Sequence, residues 1–161
     1  MLHSREISSP VGTLTLVASE RGLRAINVRT GTDSGTRTEM SSPARTSVLD
    51  EAERQLDEYF EGCRVEFDIP LDLVGTEFQL AAWRILSMIP YGSTISYAEQ
   101  ARALGDVRKA RAVGGANGRN PIPIIVPCHR VIGSDGSLTG FALGTEMKKS
   151  LLDLERCHLG A

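Results

Sequence analysis

Cys128, His129 and Arg130 are the residues of this 161-residue chain best suited to covalent chemistry, because a thiol, an imidazole and a guanidinium stand side by side. A cysteine attacks as its thiolate and needs a base or a positive neighbour to lose its proton. Pro121, Pro123 and Pro127, three of the seven prolines, precede the group. Proline fixes φ and biases the residue before it towards extended conformations, so the stretch from Asn120 to Gly133 is expected to follow a stiff, mostly extended path. Neighbours in an extended segment point to opposite faces, so contact between Cys128 and His129 requires a bend or a bridging water. A third group must then orient the imidazole. The plainer reading is a small buried apolar residue among isoleucines and valines. The chain carries its own control, because Cys157-His158 repeats the dipeptide without prolines, as an ordinary helix-end pair.

These side chains must be positioned by the elements around them. Leu14, Leu16 and Val17 alternate with Thr13 and Thr15, and after a Glu20-Arg21-Gly22 turn a second strand runs from Leu23 to Val28, which predicts a hairpin. Residues 29–43, nearly without apolar side chains, read as a surface loop. Val48, Leu49, Ala52, Leu56, Tyr59 and Phe60 recur three or four apart, predicting a helix over 44–61 stopped by Gly62. Val65, Phe67 and Ile69 alternate with Glu66 and Asp68 as an added strand would, and a boundary falls near Gly75.

Beyond that boundary the pattern turns helical. Thr76 with Gln79 and Ser96 with Glu99 are capping boxes, each opening a helix, and Trp83 is expected in the core of the first. Gly105-Asp106 turns the second into a further helix from about Val107, a helix-turn-helix pattern. That last helix contains Gly114, Gly115 and Gly118, which propensity alone would not place there. They serve either close approach to a groove or phosphate, or tight packing against another helix. A final helix runs from about Thr145 to Cys157, with Leu151, Leu152 and Leu154 inward. Glu155 lies in it at a charged position whose default is solvent.

Composition narrows the class. With 41% apolar and 24% charged residues, and no apolar run of membrane-spanning length, the chain reads as soluble. Nothing at the N-terminus resembles a signal peptide, so a cytoplasmic location is expected. Cys63, Cys128 and Cys157 are odd in number and widely spaced, which indicates neither a disulfide framework nor a zinc site. The net charge is −2 overall, but residues 96–130 carry net +4 while residues 1–95 carry net −5. A basic segment leading to Cys128 fits a compact nucleic-acid contact or a solvated helix face.

The run Asn120-Pro121-Ile122-Pro123-Ile124-Ile125-Val126-Pro127-Cys128-His129-Arg130-Val131-Ile132 resembles the active-site signature of the O6-alkylguanine-DNA alkyltransferases, and the resemblance covers about residues 76–156. It implies an α/β (α+β) fold. A small N-terminal subdomain of β-sheet plus helix, ribonuclease-H-like, spans 1–75 and packs on a mainly helical domain over 76–161 with a winged-helix-like helix-turn-helix.

It also implies suicidal transfer of an alkyl group from O6 of guanine in double-stranded DNA to Cys128, by a monomer without cofactor, membrane or obligate protein partner. His129 would then take the thiol proton through a water, Glu155 would orient His129, and Asn120 would hold the turns around the site. Tyr97 and Lys148 would assist the leaving guanine. Arg111 would fill the gap left by the flipped nucleotide, with Ala112, Gly114, Gly115, Asn117, Arg119 and Arg130 also facing DNA. Pro123, Val131, Phe141, Ala142 and Leu143 would line the pocket.

Two departures qualify the match. Leu143 stands where the family usually has a glycine, so bulky groups such as O6-benzyl are expected to be accepted less well than methyl. The N-terminus lacks the cysteines and histidines that bind zinc in some relatives, so no metal is expected. A turnover cysteine hydrolase and a recognition-only helix-turn-helix protein are the rival readings.

Overall fold

A computed structural model describes residues 2–29, 47–138 and 144–159, which fall into two compact units, Met1–Leu73 and Val74–Ala161. In the first, β1 (His3–Ser9), β2 (Gly12–Ala18) and β3 (Leu23–Arg29) form an antiparallel sheet in that order. The expected hairpin is thus the inner and outer part of a three-stranded sheet. Helix α1 (Ser47–Phe60) places Leu49, Ala52, Leu56 and Tyr59 in a core shared with Leu14, Leu16, Leu23 and Ile26. Apolar residues at helical spacing facing alternate residues of a sheet is the arrangement that removes both stripes from water.

The strand expected at Val65–Ile69 does not form. Gln55 of α1 instead takes the Asp68 N–H at 2.8 Å and donates to the Asp68 carbonyl at 3.1 Å, so the backbone groups a sheet partner would use are already satisfied by a side chain. The chain pairs with the sheet afterwards, at the Leu23–Leu71 bridge. Gly22 is required there: a Cβ on it would lie 2.4 Å from the Pro70 carbonyl oxygen.

In the second unit α2 (Glu77–Ser87) starts at the Thr76/Gln79 capping box. The two-residue strand β4 (Ile95–Ser96) leads into α3 (Tyr97–Ala103), which starts at the Ser96/Glu99 box. Gly105, at φ +101°, ends α3, as glycine does just past a helix C-terminus. A 3₁₀ turn at Val107–Lys109 then enters α4 (Ala110–Gly118), completing the helix-turn-helix. β5 (Val131–Ile132) pairs in parallel with β4, and α5 (Thr145–Leu159) closes the unit. Trp83, 1% exposed, donates its indole N–H to the Ala116 carbonyl at 2.9 Å, tying α2 to α4. Among the described residues no helix is long and apolar enough to cross a membrane.

Candidate active site

The segment before Cys128 is not mainly extended. It folds back on itself in a turn closed by the Val126 N–H and the Ile122 carbonyl at 2.9 Å, with Ile124 at φ +77°. A β-branched residue in that region is strained, at a cost of about 1–3 kcal/mol that the surroundings must offset. Asn120 is part of what holds it: its amide donates to the Val126 carbonyl at 2.7 Å and its oxygen accepts the Ile122 N–H at 3.0 Å, spanning both arms of the loop. Ile122, Ile124 and Val126 are all buried. Proline supplies stiffness here, while apolar burial and one asparagine supply the shape.

Cys128, His129 and Arg130 then occupy a single 3₁₀ turn. Three residues per turn aim successive side chains about 120° apart, so this turn supplies the bend that an extended segment lacks. All three side chains are buried. His129 Nε2 lies 2.5 Å from Glu155 Oε2 on α5, and His129 Nδ1 has no hydrogen-bond partner among the described residues. Glu155, fully buried, departs from its default as a solvated helix residue. Its other partners explain why. Arg130 Nε donates to Oε1 at 2.9 Å, a terminal nitrogen of Arg130 donates to Oε2 at 3.1 Å, and the Gly92 N–H donates to Oε1 at 3.1 Å.

The protonation states follow from these contacts. Burial by itself would raise the Glu155 carboxyl, but hydrogen bonds from His129 and Arg130 outweigh it and hold Glu155 down to about 2. Burial lowers His129 against the pull of Glu155, so the imidazole rests neutral, its Nε2–H donated to the carboxylate. Burial also pushes the Cys128 thiol up to about 11, against opposing help from the Asn120 side chain and the Lys148 charge. The resting nucleophile is therefore a thiol, and its proton must leave during the reaction.

Tyr97, at the start of α3, and Lys148 on α5 meet beside the cysteine, with Lys148 Nζ 3.4 Å from the Tyr97 hydroxyl. Burial raises the Tyr97 phenol and lowers the Lys148 ammonium, and each is coupled electrostatically to Cys128. The β4–β5 pairing makes this meeting possible, because it fixes Ser96, the N-cap of α3, beside Ile132.

Helix α4 divides cleanly. Val113, Ala116 and Asn117 are buried, whereas Arg111, Ala112, Gly115 and the following Arg119 are exposed, with Arg108 and Lys109 just ahead of them. A Cβ on Gly115 or Gly118 would meet nothing within 4 Å, so packing against a neighbouring helix does not account for these glycines. On Gly114 it would reach only ordinary contact with the Tyr97 ring, at 3.9 Å.

Two residues expected to face DNA do not. Asn117 is 5% exposed and exchanges amide hydrogen bonds with Gln100 of α3, at 2.8 and 3.0 Å, which locks α4 to α3. Arg130 is 6% exposed, and besides Glu155 it donates to the Ile89 carbonyl at 2.8 Å and lies 5.6 Å from the centre of the Tyr91 ring. Both polar groups are satisfied from within. Pro123 and Val131 are buried. Phe141, Ala142 and Leu143 lie outside the described residues. Gln100, Tyr91 and Gly92 were not singled out from sequence, and only Gln100 left a trace, as an amide in the inward stripe of a short helix.

A buried thiol with its own neutral base, behind a helix-turn-helix that shows basic and very small residues, defines a cysteine-dependent protein built to work against a nucleic acid. Comparison with known proteins makes this specific. Residues 2–73 match the family described as 6-O-methylguanine DNA methyltransferase, ribonuclease-like domain, and residues 77–157 match the corresponding DNA binding domain. A methylated-DNA–protein-cysteine methyltransferase of Mycolicibacterium paratuberculosis is 48% identical over 158 residues, covering 98% of this chain and 94% of that protein. The crystal structure of Mycobacterium tuberculosis O6-methylguanine methyltransferase superimposes with TM-score 0.84 at 45% identity, covering 98% of this chain and 94% of the other. A Mycobacterium tuberculosis structure in complex with DNA gives TM-score 0.84 at 46% identity, with coverage of 97% and 94%. The chain belongs to the 6-O-methylguanine DNA methyltransferase family.

Proposed function

We propose that this chain repairs double-stranded DNA by direct reversal, moving the alkyl group of O6-alkylguanine onto Cys128 irreversibly and once per molecule. The observation that carries the reading is the pairing of a buried thiol at Cys128 with a neutral imidazole whose Nε2 is committed to Glu155 and whose Nδ1 is not committed. A water relays the Cys128 proton to Nδ1, the sulfur attacks the alkyl carbon, and the carbon–O6 bond breaks with its electron pair going to guanine. The thioether has no leaving group, so no second step restores the thiol. This separates the reading from a turnover hydrolase, which shares the nucleophile, base and orienter but releases an acyl group to water.

Tyr97 and Lys148 fit donors towards the departing guanine, where charge develops and positioned hydrogen bonds accelerate the reaction most. The alkylated base inside a duplex is out of reach of a buried thiol, so it must be flipped at a cost of a few kcal/mol. Arg111 is the side chain suited to fill the gap, and Ala112 and Gly115 let the helix approach the minor groove closely. Arg119 is exposed for a phosphate contact. The protein acts as a cytoplasmic monomer, and O4-alkylthymine is a second candidate substrate. Leu143 stands where the family usually has a glycine, so Leu143→Gly is expected to speed O6-benzyl transfer more than methyl transfer.

The decisive experiment is intact and peptide mass spectrometry after mixing the protein with one equivalent of duplex carrying a single O6-methylguanine. The expected result is one added methyl on the Cys128 peptide, restored guanine and no second round. Tight lesion binding without methyl gain would favour a recognition-only protein.

A further inference from the structure

We propose that Arg130 sets the resting charge state of the site: by neutralising Glu155 from inside the protein, it keeps His129 a neutral imidazole able to accept the thiol proton. Arg130 is thus a positioning residue, acting on Cys128 through Glu155 and His129, and its role rests on the reading of Cys128 as the alkyl acceptor.

The geometry is that of a closed charge account. Both Glu155 oxygens receive an Arg130 nitrogen, and Oε2 also meets His129 Nε2. The remaining arm of the guanidinium is held by the Ile89 carbonyl and its face by Tyr91. Each of the three guanidinium nitrogens of Arg130 donates a hydrogen bond inside the protein, and its charge is permanent. Glu155 and Arg130 therefore sum to zero beside His129. Were Arg130 uncharged, the buried carboxylate 2.5 Å from the imidazole would lose its compensating charge and favour a proton on that imidazole. The imidazolium would carry hydrogen on both nitrogens, and Nδ1 would no longer be a base.

The other titratable groups around the site do not supply that balance. Lys148 on α5 is coupled to Cys128 and opposes a charge on His129, whereas the groups that hold Glu155 down are His129 and Arg130. Cys128 on the same turn and Tyr97 on α3 are neutral at rest, with burial raising both. Tyr91, between α2 and β4, is raised by burial and by Glu155 and is also neutral. Arg130 matches the carboxylate in charge, burial and bidentate geometry.

The test follows the His129 ring by NMR through pH in the full-length protein, for wild type, Arg130→Lys, Arg130→Gln and the double variant Arg130→Gln/Glu155→Gln, with methyl transfer to Cys128 measured alongside. The expected midpoint for His129 rises by about one pH unit or more in Arg130→Gln. It stays close to wild type in Arg130→Lys, which keeps the charge, and in the double variant, where the pair again sums to zero. The acid limb of the transfer rate in Arg130→Gln moves up with the midpoint. A midpoint unchanged in Arg130→Gln would overturn the proposal, and so would a raised one in the double variant. If Arg130→Gln does not fold, Arg130→Met, equally uncharged, is read by the same criterion. Absence of transfer in the wild type, with the titrations as expected, would instead sink the alkyl-acceptor reading alone.

Discussion

The chain writes the dipeptide Cys-His twice and folds it in opposite ways. Cys128-His129 sits on a buried 3₁₀ turn after a strained, asparagine-pinned loop, with the imidazole held by a carboxylate. Cys157-His158 sits in the last turns of α5, the thiol exposed and the imidazole 2.9 Å from the Leu154 carbonyl of its own helix. Glu155, two residues before the second cysteine, serves the first histidine. Residue type supplies the potential for chemistry, and burial with committed partners decides whether it is used. Exposure, often taken as a mark of reactivity, belongs here to the cysteine without a base.

The sharpest way to break that contrast is to exchange the sulfurs for oxygen one at a time. Cys128→Ser abolishes methyl gain by the protein, while Cys157→Ser leaves it at one methyl per molecule. Retained methylation in Cys128→Ser would show the contrast to be misplaced.

Replacing the group that joins the two regions comes next in size. Glu155→Gln leaves the buried Arg130 charge unpaired, which costs about 3–5 kcal/mol. The cost is visible as a lower denaturant midpoint at neutral pH. Asp153→Asn, an exposed carboxylate of the same helix, stays within about 0.5 kcal/mol. The pH dependence has a definite sign. Glu155 is held down to about 2, so its stabilisation is complete above its ordinary value near 4.5 and is lost as pH falls from there towards about 2. The acid limb of stability should therefore flatten in Glu155→Gln.

These contrasts also show what the sequence made readable. Local rules carried far: both capping boxes form, because they need only residues three apart, and the helical stripes of α1 and α2 reach the core. The family motif carried the alkyltransferase assignment, which spacing alone could not. What stayed hidden was set by tertiary partners. The Val65–Ile69 alternation looks like a strand, yet Gln55 satisfies its backbone from α1. Arg130 and Asn117 look like DNA contacts, yet each is consumed by a partner far along the chain. An arginine next to a catalytic dipeptide has the same letter whether it points outward to phosphate or inward to a glutamate.

A smaller effect separates the two thiols by reactivity alone. Cys128 is pushed up to about 11 from an ordinary value near 9, mainly by burial, which leaves it about a hundredfold less thiolate at neutral pH than the same group unshifted. Iodoacetamide should label Cys63 and Cys157 well before Cys128 in the absence of DNA, as peptide mapping over time would report. The linked stability runs opposite to that of Glu155. A raised thiol favours the folded state below about 9, and that advantage is lost as pH rises towards 11, on the order of 3 kcal/mol in all. Cys128→Ser removes this alkaline limb. Early labelling of Cys128 would mean that its pocket already generates the thiolate at rest, and His129 would then have no proton left to take.

The smallest expected effect lies at the second dipeptide, and it is the one on which the comparison depends as a control. Cys157 has an exposed side chain, and His158 makes its hydrogen bond to the carbonyl one turn back, a bond that the helix end can exchange for water. Cys157→Ser/His158→Ala should therefore change the unfolding midpoint by no more than about 0.5 kcal/mol and leave the rate of methyl transfer unchanged. The rate is the more searching readout, since Glu155 lies within one turn of both substitutions. Slower transfer at unaltered stability would mean that the end of α5 controls how Glu155 meets His129. The two Cys-His pairs would then be parts of one site rather than a used and an unused copy.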